Sequence, residues 1–369
     1  MEICIKKSTF LYSIKRVITP ILIVTLVLTS CKQNSSNKTN VEVETIKSDS
    51  ISEQKYVIIE GIEQFILVSG QSKSNPLLLI LHGGPGTSEM PMFRKYNSEL
   101  EKHFLVVHWD QRSAGKSFSK EIPNSTINVP QMIEDAHQLT RYLKKKFKKE
   151  KIFLLGHSWG SFLGINTVFK YPEDYYAYIG TGQIANQLIS EQLGYEFVLQ
   201  KAKEANDIES IDDLNKLGQL TIDDKTPEEI MSWIFKQRGY LGKYGGAMFE
   251  MDGAKMMMSA FAESKDLTDY DKEHFMDGSM LSLYKLFPTV LKTDLTTKIT
   301  ELKVPTYFLQ GIADYTTSYS EAKKYFGQLK VPQKEFIDFN KSGHNPPFEE
   351  SEKFNKIMIN KVLKHADKK

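Results

Sequence analysis

Residues 152–160 read Ile152-Phe153-Leu154-Leu155-Gly156-His157-Ser158-Trp159-Gly160, a short apolar run that breaks into a serine with a glycine two places away on either side. An uninterrupted apolar run of this length fits a strand buried on both faces of a parallel sheet. The stretch after it reads as a helix. A Gly-x-Ser-x-Gly turn between strand and helix is the context of a nucleophile elbow, in which the sharp turn lifts the serine hydroxyl clear of the sheet. A hydroxyl is a poor nucleophile unless a base reaches it, and the glycines allow the tight backbone that exposes it. Ser158 is therefore the candidate nucleophile.

Two similar apolar runs precede this one, at Leu77–Leu81 and Phe104–Val107, each ending in a glycine-rich or polar loop. A helix signal separates the second from the third: Asn128 and Pro130 start it, and Met132, Ile133, Ala136, Leu139 and Leu143 recur at helical spacing. Strand, helix and strand in this order imply right-handed crossovers and an α/β, doubly wound, mostly parallel sheet. Tyr56–Ile59 and Phe65–Val68, with a turn around Gly61, suggest an antiparallel opening pair. Strand character returns at Pro305–Leu309 and Glu335–Phe339. Residues 183–297 are charged and helix-periodic, and predict an inserted helical cap in which Met256, Met257 and Met258 serve as core filler. The catalytic domain is then expected over 55–182 and 298–369.

Three further constellations complete a chemistry. His82-Gly83-Gly84-Pro85-Gly86 follows the strand Leu77–Leu81. Glycines there let backbone N–H groups approach a developing oxyanion, with Gly84 and Trp159, the residue after the serine, as the expected donors. His82 is expected to orient this loop together with Gly83, Pro85 and Gly86. His344, in Ser342-Gly343-His344-Asn345-Pro346 after the last strand, is the candidate general base. Asp314, in Gly311-Ile312-Ala313-Asp314, is the candidate acid that holds the imidazole in its productive tautomer. Asp338 competes for that role, and strand-end geometry favours Asp314.

These segments, with Asp110-Gln111-Arg112-Ser113-Ala114-Gly115-Lys116-Ser117, resemble the prolyl iminopeptidases and their relatives in the serine aminopeptidase family of α/β-hydrolases. The resemblance runs from about residue 76 to the end. It implies an α/β-hydrolase fold, release of an N-terminal residue, usually proline, from small peptides, and a helical cap that selects the free amine of the substrate. The family usually has glycine where this chain has Ser113, and glycine or alanine where it has His157. Its members bind the amine through acidic residues of the cap; Glu191, Glu196, Glu250 and Glu263 are the candidates here. A carboxylesterase using the same machinery is the alternative activity, and a non-catalytic binding protein on the same fold is the alternative of another class. Ser158 excludes dehalogenase or epoxide-hydrolase chemistry, which needs a carboxylate at the elbow.

Composition narrows the rest. The formal charge is +2, of which Lys6, Lys7, Lys15 and Arg16 against Glu2 carry +3, so the remainder nets −1 and no nucleic-acid role is expected. Cys4 and Cys31 are the two cysteines, too few for a zinc cluster or a disulfide framework, and no cofactor motif or metal site is expected. The apolar run Val17–Leu28, twelve residues, is shorter than the roughly twenty that span a membrane. It ends in Leu28-Thr29-Ser30-Cys31, which looks like a bacterial lipobox. The expectation is a lipoprotein signal peptide over 1–30, acylation at Cys31, export, and anchoring to a lipid bilayer by several acyl chains. Residues 31–54 are then expected as a flexible tether with a reach of about 25 Å.

Overall fold

In the computed structural model, residues 49–366 are described. Cys31 and the signal-peptide reading lie outside the described residues. An eight-stranded sheet of order β1-β2-β4-β3-β5-β6-β7-β8 forms the framework. Its strands are β1 (Ile51–Ile59), β2 (Ile62–Gly70), β3 (Leu77–Leu81), β4 (Leu105–Trp109), β5 (Ile152–His157), β6 (Tyr175–Thr181), β7 (Thr306–Gly311) and β8 (Lys334–Phe339). β1 and β2 pair antiparallel, β2 pairs antiparallel with β4, and β3 to β8 run parallel to one another.

The continuous apolar runs follow from burial on both faces. Along β3, Leu77, Leu79 and Leu81 join one core while Leu78 and Ile80 join the other; Ile152 and Leu154 alternate with Phe153 and Leu155 in β5 the same way. Period-two alternation sends successive side chains to opposite faces, so both must be apolar. The helices that cover the sheet include α1 (Met90–Tyr96), α2 (Val129–Phe147) and α3 (Trp159–Lys170). Asn128 caps α2 by accepting the N–H of Gln131, and Pro130 sits in the first turn, where its missing donor costs nothing.

One boundary differs from expectation. Ile51–Gln54, read from sequence as the end of a tether, belong to β1, with Ile51 opposite Gly70 and Glu53 opposite Val68. The polar composition hides this, because an antiparallel ladder is satisfied by backbone groups. The Glu53 carboxylate is held by Lys146 at 2.7 Å.

Between β6 and β7 the chain makes α4 (Gln187–Glu204), α5 (Ile208–Leu217), α6 (Pro227–Tyr244), α7 (Gly253–Glu263), α8 (Asp269–His274), α9 (Ser279–Leu291) and α10 (Leu295–Lys298). The ends of this excursion are stitched together: Asn186 bridges Asp294, and the Leu295 N–H donates to Ala185 O at 3.0 Å. Of the three methionines, Met256 is buried on α7, whereas Met257 and Met258 are exposed. After β7 comes α11 (Tyr319–Gln328), and after β8 come α12 (Pro346–Glu349) and α13 (Ser351–Ile357).

Candidate active site

The carboxyl ends of β3, β5, β7 and β8 deliver the four candidate segments to one edge of the sheet. Register places Leu81 beside Gly156, so His82, just past β3, and His157, the last residue of β5, stand at the same level. Ser158 then turns at φ +54° and ψ −121°, a region a non-glycine residue enters only when its surroundings enforce it. The surroundings do. The Ser158 N–H donates to Thr181 O at 3.0 Å, and Ser158 O accepts the Ser161 N–H at 2.8 Å as α3 begins. Both flanking glycines are sterically required: a Cβ on Gly156 would lie 2.2 Å from Gly160 O, and one on Gly160 would lie 2.0 Å from Leu81 O.

The His82–Gly86 loop is held from several directions. The Gly83 N–H donates to Glu89 Oε2 at 3.0 Å, leaving Gly84 as the next donor along the loop. Gly84 turns at φ +108°, and Gly84, Ser158 and Trp159 line one cavity. Gly86 O accepts the Ser279 hydroxyl at 2.7 Å, docking α9 against the loop, and the Gly84–Pro85 bond is cis. His82 is buried; its Nε2 accepts the Gln111 N–H at 3.1 Å and its Nδ1 contacts Gly83 O at 2.8 Å. Burial pushes its pKa down despite the nearby Gly83 carbonyl and acidic groups, so the ring is a neutral strut.

The Asp110–Arg112 segment explains itself here. The Gln111 side chain donates to His82 O at 3.1 Å and accepts the Trp159 indole N–H at 2.8 Å, tying the loop to the elbow. Arg112 forms a bidentate pair with buried Asp135, at 2.7 and 2.8 Å. Ser113 sits at φ +64° in the left-handed region that favours glycine.

Asp314 and His344 meet. Asp314 Oδ2 faces His344 Nδ1 at 3.0 Å and also accepts Gln310 Nε2 and the Thr317 hydroxyl, while Oδ1 accepts the N–H groups of Thr316 and Thr317. Burial alone would raise the Asp314 pKa, but His344 and the Thr317 donors outweigh it and hold the carboxyl below its ordinary value. Asp338 lies elsewhere: it is exposed to 44%, accepts the Tyr319 hydroxyl at 2.7 Å and pairs with Lys323. His344 is fixed through its backbone, with its N–H on Ala247 O at 2.8 Å, and a Cβ on Gly182 would come within 2.9 Å of its ring.

The cavity beside Ser158 measures about 140 Å³ and is walled by apolar side chains, among them Met231 and Ile234 of α6 and Leu283, Phe287 and Val290 of α9. Gln187, Arg238, Thr316 and Thr317 supply its polar wall. Of the cap acids, Glu191 is buried behind that wall, accepting Arg238 Nη1 at 2.8 Å and Gln187 Nε2 at 2.7 Å. Glu196, Glu250 and Glu263 are exposed, Glu263 pairing with Lys95 at 2.8 Å. Among the described residues no carboxylate lines the cavity, and no group of three or more His, Cys, Asp or Glu is arranged to hold a metal ion. A larger hollow of about 480 Å³, next to Tyr56, Lys116 and Tyr270, contains none of the candidate residues.

Residues 76–351 match the family model described as the alpha/beta hydrolase fold. The chain is an α/β-hydrolase. Among the relatives of this hydrolase is the probable aminopeptidase YbaC of Bacillus subtilis (strain 168), 30% identical over 86% of this chain and 97% of the relative. The proline iminopeptidase of Thermoplasma volcanium is 22% identical over 85% of this chain and 97% of its own length. The crystal structure of a proline iminopeptidase-related protein from Thermus thermophilus shares the fold at a TM-score of 0.59 and 19% identity, covering 85% of this hydrolase and 98% of that chain.

Sequence reasoning singled out no role for Glu89, Glu349 or Arg238. Glu349 Oε1 and Oε2 accept the Gly343 N–H, and Oε1 accepts that of Asn345 at 2.9 Å, bracing the His344 loop. Burial pushes the Glu349 carboxyl up, the backbone donors notwithstanding. Glu89 meets His157 68 residues away and Arg238 meets Glu191 47 residues away, so no local pattern marks those two, while Glu349 acts within its own loop.

Proposed function

We propose that this hydrolase is a serine enzyme that releases an N-terminal residue, proline or another small residue, from short peptides through an acyl-enzyme on Ser158. The observation that carries the reading is the Asp314–His344 hydrogen bond, joined through Thr317 to the cavity that Ser158 lines. In the acylation step Ser158 Oγ attacks the scissile carbonyl carbon and His344 takes the hydroxyl proton. Asp314 stabilises the imidazolium, and the Gly84 and Trp159 N–H groups receive the oxyanion. The proton then passes to the leaving amine as the C–N bond breaks. Water, deprotonated by His344, releases the acyl group and restores the serine. The aminopeptidase relative and the small apolar cavity support an N-terminal residue as the acyl portion.

A carboxylesterase is the second reading. It is favoured by the commitment of Glu191 to Arg238 and Gln187, which leaves no carboxylate on the cavity wall, among the described residues, to meet an ammonium. A panel of prolyl and alanyl arylamides, their N-acetyl counterparts and simple acyl esters separates the two. An aminopeptidase cleaves the free-amine substrates at least about a hundredfold faster in kcat/KM, a difference of roughly 2.7 kcal/mol. Equal rates, or turnover of esters alone, transfer the assignment to the esterase. No turnover, with Ser158→Ala indistinguishable from the wild type, leaves the non-catalytic reading.

We infer from Leu28–Cys31 that the chain is exported and anchored to a bilayer through acylated Cys31. Metabolic labelling with an alkyne fatty acid tests this: the wild type takes up label and Cys31→Ala does not. An unlabelled wild type overturns it.

A further inference from the structure

Two buried ionisable side chains beside the elbow are left unused by the reaction just described. Glu89, at the start of α1, accepts the Gly83 N–H with Oε2 at 3.0 Å and faces His157 Nδ1 with Oε1 at 2.6 Å. The other ring nitrogen of His157, Nε2, faces the backbone carbonyl of His344 at 3.0 Å. Side-chain exposure is 2% for His157 and 14% for Glu89. One continuous path thus runs from the loop after β3, through the residue before the candidate nucleophile, to the backbone of the candidate base. These segments also converge on a point: a methyl on Gly83 would lie 3.1 Å from Glu89 Oε1, 3.2 Å from Ser158 Cβ and 3.5 Å from His157 Nδ1.

The chemistry of the partners sets the state of the ring. A carboxylate and a carbonyl oxygen only accept, so both contacts are hydrogen bonds only if both nitrogens of His157 carry protons. Electrostatics gives the same answer. A lone carboxylate one hydrogen bond from the Gly83–Gly84 loop would oppose negative charge developing on substrate, and in a site shielded from water that repulsion is weakly screened. An imidazolium against Glu89 cancels it. The other groups facing the pair are His82, whose Nε2 accepts the Gln111 N–H, the His344 ring, tilted against His157 at 5.1 Å with its Nδ1 on Asp314, and the Phe348 ring, edge-on to His157 at 5.9 Å.

We propose that Glu89 and His157 form a buried carboxylate–imidazolium positioning pair that clamps the Gly83–Gly84 loop and the His344 loop onto the Ser158 elbow and neutralises Glu89 beside the forming oxyanion. The pair rests on the serine-hydrolase reading for its purpose, though not for its existence. Burial alone would lower the His157 pKa and raise that of Glu89; their mutual attraction reverses both shifts. The residues act through the backbone of others and touch no reacting atom.

The test has two arms on the purified full-length protein. The first is the ¹⁵N and ¹H spectrum of the His157 ring, assigned by through-bond correlation to its own backbone. Both nitrogens are protonated at pH 7 in the wild type, and Glu89→Gln converts the ring to the neutral form. The second arm is kinetic, on whichever arylamide or ester is turned over. Glu89→Gln and His157→Gln each lower kcat by about ten- to a hundredfold with KM held within about threefold. His157→Gln is the worse because it leaves Glu89 uncompensated, and the double variant recovers at least about fivefold of that loss. A neutral His157 in the wild type overturns the proposal, as does a double variant no better than His157→Gln. Should His157→Gln fail to fold, the wild-type ring state and the kcat of the isosteric Glu89→Gln decide. A protein that turns over no substrate sinks the proposed activity, while the ring state still decides the pair.

Discussion

Asp314 Oδ2 lies 3.0 Å from His344 Nδ1, and the same carboxylate is saturated by Gln310, Thr316 and Thr317, so its orientation is set before the imidazole arrives. Asp314→Asn removes the charge that steadies an imidazolium and presents an amide that favours the wrong tautomer. The expected loss in kcat is about a thousandfold or more. Asp338→Asn, at an exposed pair with Tyr319 and Lys323, is expected to stay within about twofold of wild type. Steady-state kinetics on both variants checks this; the reverse ranking would move the acid role to Asp338.

Two glycine-to-alanine changes should have opposite signs. At Gly160 the new Cβ would press to 2.0 Å against a backbone carbonyl, which cannot swing aside. Gly160→Ala is expected to destabilise by about 1–3 kcal/mol and to displace the elbow, with loss of activity. Gly239, exposed in α6, has nothing within 4 Å of where a Cβ would stand. There alanine restricts the unfolded chain and improves helix propensity, so Gly239→Ala should stabilise by about 0.5–1 kcal/mol. Urea denaturation midpoints with unchanged slopes would measure both.

Ser113 combines a left-handed backbone at φ +64° with a buried hydroxyl that has no hydrogen-bond partner among the described residues. Each feature costs free energy, and glycine removes both at the expense of greater unfolded-state entropy. Ser113→Gly is expected to stabilise by about 1 kcal/mol with activity unchanged. A lowered melting temperature would show that the hydroxyl is satisfied after all.

The Glu89–His157 pair predicts a window in the pH dependence of stability. The Glu89 pKa is depressed below its ordinary 4.5, so its contribution is present above 4.5 and is lost as pH falls through the lower folded value. The His157 pKa is raised above its ordinary 6.5, so its contribution is complete below 6.5 and is lost as pH rises through the higher folded value. Together they favour the folded state most between those two ordinary values. Asp314, depressed below 3.8, steepens the acid limb in the same sense as Glu89. Glu89→Gln should flatten both flanks of a plot of unfolding free energy against pH. A parallel downward offset, with the flanks unaltered, would mean that the pair is uncharged in the folded protein.

Much of this protein was written locally. The apolar runs of β3, β4 and β5 announced strands buried on both faces because period-two alternation in a covered sheet leaves no polar side. Asn128 and Pro130 marked the start of α2, and the spacing around Ser158 marked a turn that only glycine neighbours allow. His344 and Asp314 could be picked out from chain order after strand ends, and the structure places them within hydrogen-bond distance. What the sequence left open depended on atoms brought together across the fold. The polar run Ile51–Gln54 became strand because β2 offered a backbone ladder, to which side-chain patterning is blind. Glu191 stood among four equivalent cap acids until packing set Arg238 against it. Glu89 and His157 lie 68 residues apart, and nothing in either neighbourhood says that one carries the other's charge. Strand and turn propensities act over a few residues and can be read from them; a buried charge is tolerated only where tertiary contacts supply its partner, so its meaning appears only in the folded chain.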